Sequence, residues 1–190
     1  MKHFSEETIR INVDRIPDEG IALDARVPFD RFPGLKALCR EDEVSFLSPI
    51  EMEIKVRWVS RFVEAAGLLR TTVRLSCGRC LGDFSRPLTV DFKATFTSEA
   101  EAPDEREEEA DIELTPEAID LFRFHGREID LTEAIQEQIL LSLPLKPLCR
   151  EECRGLCPRC GEDLNRGACG CEGQAVDPRF AALAQLKLKK

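Results

Sequence analysis

The stretch CREECRGLCPRCGEDLNRGACGC, residues 149 to 171, holds six of the chain's nine cysteines. Six thiols so close together restrict what this end of the chain can become. They can form disulfides, a redox centre, an iron site or a zinc site, and each gives the protein a different task. The N-terminus, MKHFSEETIR, has no apolar run behind its basic residues, which reads against a secretory signal. No stretch approaches the roughly 20 apolar residues of a membrane span. A cytoplasmic location follows as an expectation, and there thiols stay reduced. The cysteine count of nine is also odd, so metal binding or thiol chemistry is a better reading than a disulfide framework.

Two C-x-x-C pairs occur, Cys77-Gly-Arg-Cys80 and Cys157-Pro-Arg-Cys160-Gly161. Two intervening residues let a tight turn aim both sulfurs at one metal about 2.3 Å away. A glycine after the second cysteine permits a positive φ and brings backbone N–H groups toward the sulfurs. The most economical ligand set for one zinc ion is Cys157, Cys160, Cys169 and Cys171, with the loop GEDLNRGA turning back to close it. Cys169 and Cys171 are two apart, so an extended backbone points both to one side. A rival set takes Cys153, Cys157, Cys160 and one of the final pair. A third brings Cys77 and Cys80 against Cys157 and Cys160, so that Cys149, Cys153, Cys77 and Cys80 are the alternates to the first set. Spacing does not choose among these. Zinc is favoured over iron as the commoner structural ion in a non-redox context. A redox dithiol at Cys77 and Cys80 needs a helix N-terminus in a βαβ setting, whereas LGDFSRPLTVDF reads as a turn and a strand.

The rest of the chain reads as α+β. TIRINVDRI and IALDARVPF suggest two strands, and DRFPGLKALCR reads as irregular, with Cys39 a small buried hydrophobe. From 50 to 97 the period is two: Met52, Ile54, Val56 and Trp58 alternate with polar residues, as do Val73 and Leu75, then Leu88, Val90, Phe92, Ala94 and Phe96. One-sided strands of this kind predict an antiparallel meander or a small, partly closed barrel. Trp58 falls in phase with the core residues, and Gly67 reads as a turn or bulge. The run EAEAPDEREEEADIE, residues 99 to 113, has nine acidic residues against Arg106 and so carries nearly all of the net charge of −9. It reads as a solvated, disordered linker. AIDLFRFHGREIDL suggests a strand with a turn at His125-Gly126. Asp130 or Thr132 then opens a helix whose Leu131, Ile135, Ile139 and Leu143 share a face, until Pro144 and Pro147 end it. DPRFAALAQLKLKK reads as a terminal helix capped by Asp177. The expected division is a β-rich domain at 1–97, an acidic linker at 98–113, a strand and helix packing on the sheet at 114–148, and a cysteine-rich segment with its terminal helix at 149–190.

Catalytic patterns are thin. His3 and His125 stand in no recognisable triad spacing, and there is no P-loop or G-x-G-x-x-G. Nothing in the chain calls for an enzyme.

CGRCL before a strand, then an acidic stretch, then LPLKPLCREECRGLCPRCGEDLN, CGC and DPRFAALAQL together resemble the YceD family of large ribosomal RNA subunit accumulation proteins. The resemblance covers roughly residues 50 to 188. It implies a non-enzymatic factor for accumulation of large-subunit ribosomal RNA, acting in ribosome biogenesis, with that RNA or a ribosomal protein of the large subunit as partner. No catalytic residue comes with it. Arg150, Arg154, Arg159, Arg166 and the tail KLKLKK offer a route to phosphates, but the arginines alternate with Glu151, Glu152, Glu162 and Asp163, as on a mixed solvated surface. Two other readings stand beside this one: a zinc module that holds a basic ribosomal protein without touching RNA, and a thiol oxidoreductase using Cys77 and Cys80.

Overall fold

The computed structural model describes residues 9–40, 44–98 and 121–171. The acidic run, His3 and the expected terminal helix lie outside the described residues. Strand β1 is Arg10–Asn12 and β2 is Ile21–Val27. Helix α1 is Pro33–Arg40, followed by β3, Val44–Phe46. The long strands are β4 (Ile50–Val59), β5 (Phe62–Ser76) and β6 (Asp83–Ser98). Strands β7 (Leu121–Phe124) and β8 (Glu128–Asp130) lead into α2, Thr132–Ser142.

Alternation of apolar and polar residues builds the main sheet. Ile50, Met52, Ile54 and Val56 of β4 are buried, as are Val63, Ala65, Leu69, Val73 and Leu75 of β5 and Leu88, Val90, Phe92, Ala94 and Phe96 of β6. A period of two puts all of these on one face. The strand order is β2-β4-β5-β6-β7, with β3 beside the far half of β5, and β1 pairs with β8 in a separate two-stranded sheet. Among the described residues the main sheet is an open path whose end strands do not pair, so it is a sheet and not a closed barrel. Helix α2 lays Ala134, Ile135 and Ile139 on the core, with Leu131 buried just before its first turn. The Gly34 N–H donates to Gln136 Oε1 at 2.9 Å, tying α1 to α2. Asp130 Oδ1 accepts the Thr132 N–H at 2.9 Å and satisfies one of the free donors at the start of α2.

Several expectations are corrected. DRFPGLKALCR is not irregular: Pro33 opens α1, with Leu35 buried and Leu38 and Cys39 packed against the core. Trp58 is 40% exposed, because β4 runs past the edge of the core there; its Nε1–H donates to the Val13 carbonyl at 3.3 Å. Gly67 is neither turn nor bulge. It lies inside β5 in unbroken register with Ile54, where an added Cβ would run into the Glu53 carbonyl oxygen. The turn is instead at Ser60, which takes a φ of 54°. Finally, β7 pairs with β6 in parallel. A parallel pair needs a long connection, and Ser98 and Leu121 are far enough apart in sequence to allow one.

Candidate metal centre

The two longest strands form a hairpin, and Cys77-Gly78-Arg79-Cys80 is its tip. The Cys77 N–H donates to the Gly82 carbonyl at 3.0 Å and the Leu81 N–H to the Cys77 carbonyl at 2.9 Å. Leu81 takes a φ of 57° to make this turn. The second pair folds the same way: Cys157 N–H donates to the Glu162 carbonyl and Gly161 N–H to the Cys157 carbonyl, both at 2.8 Å. There Gly161 has a φ of 74°. The left-handed position that glycine fills without strain at one knuckle is filled by leucine at the other.

The sulfurs gather into two groups of four: Cys77, Cys80, Cys149 and Cys153 in one, and Cys157, Cys160, Cys169 and Cys171 in the other. Within each group the sulfurs all lie within 4.8 Å of one another. Cys77 Sγ is 3.8 Å from Cys153 Sγ, and Cys80 Sγ is 3.9 Å from Cys149 Sγ. Four thiolates at about 2.3 Å from a tetrahedral ion have edges of about 3.8 Å, whereas a disulfide needs about 2.05 Å. Each group can hold a metal ion. The rival combinations, Cys153 with Cys157 and Cys160, or Cys77 and Cys80 with Cys157 and Cys160, are not brought together. Cys77 and Cys80 meet Cys149 and Cys153 instead. Cys39 belongs to neither group.

The chain itself holds the first group in place. Gly78 N–H donates to the Pro147 carbonyl at 2.8 Å, just after α2 has ended. Arg79 reaches across, with Nη1 on the Glu151 carbonyl at 3.0 Å and the Cys153 carbonyl at 2.9 Å. Its own carbonyl accepts the Leu156 N–H at 3.2 Å. Gly155 has a φ of 74°, and a Cβ there would stand 3.0 Å from that same Arg79 carbonyl. The three residues between Cys153 and Cys157 therefore bind the hairpin tip on one side. On the other they bind the second loop, through Leu164 N–H to the Gly155 carbonyl at 2.9 Å and a bridge between Leu156 and Asp163.

The thiols are not alike. The Cys80 N–H, helped by those of Cys149 and Arg79, holds the Cys77 thiol down at about 6 against its burial. Cys157 is likewise lowered to about 6, by the N–H groups of Cys160 and Arg159. Burial and the neighbouring thiols of Cys153, Cys77 and Cys80 push Cys149 up to about 12. The Cys160 side chain, then burial, does the same to Cys171. Burial works to raise the Cys153 thiol, but the Gly155 N–H and the Asn165 amide together bring it down. Each group therefore contains at least one sulfur poised as thiolate and two that resist ionisation among their neighbours. A divalent cation relieves that conflict by accepting all four as thiolates.

Sequence reasoning missed the two residues that lock these groups together, Arg79 and Asn165. Arg79 stood in a C-x-x-C spacer and Asn165 in a turn-rich loop, and neither position carries a local signal of its long reach. Arg150 donates to Asn165 Oδ1 at 2.8 Å and Arg166 pairs with Asp163 at 3.5 Å, so part of the arginine set is spent within the module. Apart from the cysteines, a cleft of about 450 Å³ opens between β7, β8 and α2 over the stacked Phe96 and Phe122 rings. No cysteine lines it. No helix among the described residues is long and apolar enough to cross a membrane.

Comparison with known proteins places this arrangement in a family. An uncharacterized protein of Mycobacterium tuberculosis is 30% identical over 137 residues, which cover 72% of this chain and 61% of that protein. The Arabidopsis thaliana protein named large ribosomal RNA subunit accumulation protein YCED homolog 1, chloroplastic, is 24% identical over 157 residues, covering 74% of this chain and 49% of that one. An uncharacterized Bacillus subtilis protein, YlbN, is 24% identical over 177 residues, covering 90% and 91%. The chain thus spans about three-fifths of the length of that Mycobacterium tuberculosis protein and about half that of the Arabidopsis thaliana one. No solved structure matches it. The family model described as large ribosomal RNA subunit accumulation protein YceD matches residues 65–187, which include both cysteine groups and most of the β5–β6 hairpin, and the chain belongs to the YceD family.

Proposed function

We propose that this protein is a non-enzymatic factor for the accumulation of large-subunit ribosomal RNA, and that each cysteine group holds one zinc ion. The sulfur geometry is the observation that carries the zinc reading: four thiols per group, with edges of 3.8 and 3.9 Å measured in the first, fit the tetrahedron that zinc prefers. The family description carries the ribosomal reading. Zinc here supplies folding free energy and no chemistry of its own. One ion closes the hairpin tip on the segment after α2, and the other closes the loop beyond it.

Two features favour ligand over redox chemistry at Cys77. It lies in a β-hairpin turn and not at a helix N-terminus, and its side chain is fully buried, where no substrate disulfide can reach it. The module joins the end of the β5–β6 hairpin to an exposed surface carrying Arg154 and Arg159, which supports contact with phosphates. A second reading is favoured by the acidic run at 99–113, whose charge suits a basic ribosomal protein.

Depletion of the protein in its host, followed by measurement of the ratio of large- to small-subunit ribosomal RNA, tests the function; an unchanged ratio overturns it. A nuclease-treated pull-down separates the two partners, since only a protein partner survives. Elemental analysis tests the metal: two zinc ions per chain are expected. Iron, or no metal, would refute the zinc assignment.

A further inference from the structure

Asn165 lies in the loop between Cys160 and Cys169, yet its side chain serves the other cysteine group. Its Nδ2 donates to Cys153 Sγ at 3.4 Å and to Asp163 Oδ1 at 2.6 Å. Its Oδ1 accepts the Arg154 N–H at 2.9 Å and Arg150 Nη2 at 2.8 Å. A carboxamide has two N–H donors and two lone pairs, and all four are used. The two donors on its oxygen also fix which end faces the sulfur, because a flipped amide would set N–H against N–H. Cys153 is 3% exposed, so this bond is made out of water.

The position of Asn165 depends on the loop that the second cysteine group closes. Its own N–H donates to Asp163 Oδ1 at 3.0 Å, and Asp163 is bridged to Leu156. The Arg166 N–H returns to the Asp163 carbonyl at 3.0 Å. What orders residues 161–169 therefore also delivers an N–H to a ligand of the first group. Donors to metal-bound ligands orient them and strengthen binding.

We infer that Asn165 is a positioning residue that couples the two metal sites: zinc in the second site holds its amide against Cys153 and raises the affinity of the first site. Coupling of binding free energies is reciprocal, so zinc in the first site strengthens the second by the same factor. The inference rests on the zinc reading proposed above.

The test measures zinc affinity by competition with a chromophoric chelator, using the full chain. Cys171→Ser disables the second site and Cys149→Ser the first. Asn165→Asp keeps the acceptor for Arg154 and Arg150 but removes the donors to Cys153 Sγ and Asp163 Oδ1 and sets a carboxylate beside that of Asp163. Disabling the second site is expected to weaken the first about 10- to 100-fold, the range of outer-shell effects at metal sites. In the N165D background that further loss should vanish. With the first site disabled, N165D should weaken the second only through the lost bond to Asp163, and by less than it weakens the first. The inference is overturned if C171S leaves the first site at wild-type affinity, or if its loss persists undiminished in N165D. It also fails if N165D weakens the second site, with the first disabled, as much as it weakens the first, since Asn165 would then only prop its own loop. A wild-type chain that binds fewer than two zinc ions would refute the zinc reading instead, so the two failures are distinguishable.

Discussion

The two cysteine groups are built on the same four-residue turn but reach very different distances along the chain. Cys157, Cys160, Cys169 and Cys171 close a loop entirely within the cysteine-rich segment. Cys77 and Cys80 meet Cys149 and Cys153 across the whole of β6, β7, β8 and α2. The local group folds a loop that has almost no apolar residues to bury. The long-range group fastens that folded loop to the sheet. Closing a long loop costs more entropy than closing a short one, but only logarithmically, so a metal tie between distant segments gains more from the constraint while its ligands must be delivered by the rest of the fold. The β5–β6 hairpin delivers one pair, and the end of α2, with Pro147 on Gly78, delivers the other.

The largest effect that can break this contrast is expected from Cys153→Ser. Zinc content should fall from two ions per chain to one or fewer, and residues 144–171 should come away from the hairpin tip. Limited proteolysis should then cut between α2 and Cys157. If the segment stays protected, the first group is not the fastening. Cys160→Ser should act more locally: protease sensitivity confined to residues 157–171, with the thermal transition of the sheet unchanged. A matching collapse of both regions would erase the distinction between the groups.

Smaller changes sharpen the contrast. Arg79→Ala removes two hydrogen bonds to the carbonyls of Glu151 and Cys153 from an exposed side chain, and should cost about 1 kcal/mol in chemical denaturation. The same substitution should leave the second group's metal affinity nearly untouched. The two knuckle turns can be exchanged at their positive-φ position. Leu81→Gly should stabilise the hairpin tip by up to about 1 kcal/mol, because Leu81 is strained at a φ of 57° and buries little. Gly161→Ala should destabilise the second loop by about 1 kcal/mol for the opposite reason. If the two changes have the same sign, the turns are not equivalent.

Much of the fold was legible because its signals are local. Alternation over Ile50–Val56 and Leu88–Phe96 marked the long strands, and the spacing of Leu131, Ile135 and Ile139 marked α2. Helix α1 was missed because eight residues opening at Pro33 are too few to show a period. Trp58 stood in phase with a buried face, but phase does not say where a core ends. Gly67 reads as a break from its neighbours in sequence. Only the strand beside it shows that glycine is needed for the close approach to Glu53.

The sequence by itself determined what kind of site this chain could build: two C-x-x-C turns, four more cysteines within a short polar segment, and too little local apolar surface to hold that segment by burial. It also determined the hairpin strands that carry the first turn. The choice of partners was left to the tertiary structure. Spacing constrains only sulfurs that are neighbours along the chain, and the thiols of residues 77 and 153 become neighbours only after the sheet has paired and α2 has packed. That is also why Asn165, silent in a turn-rich loop, shows its contact with Cys153 only in the folded chain.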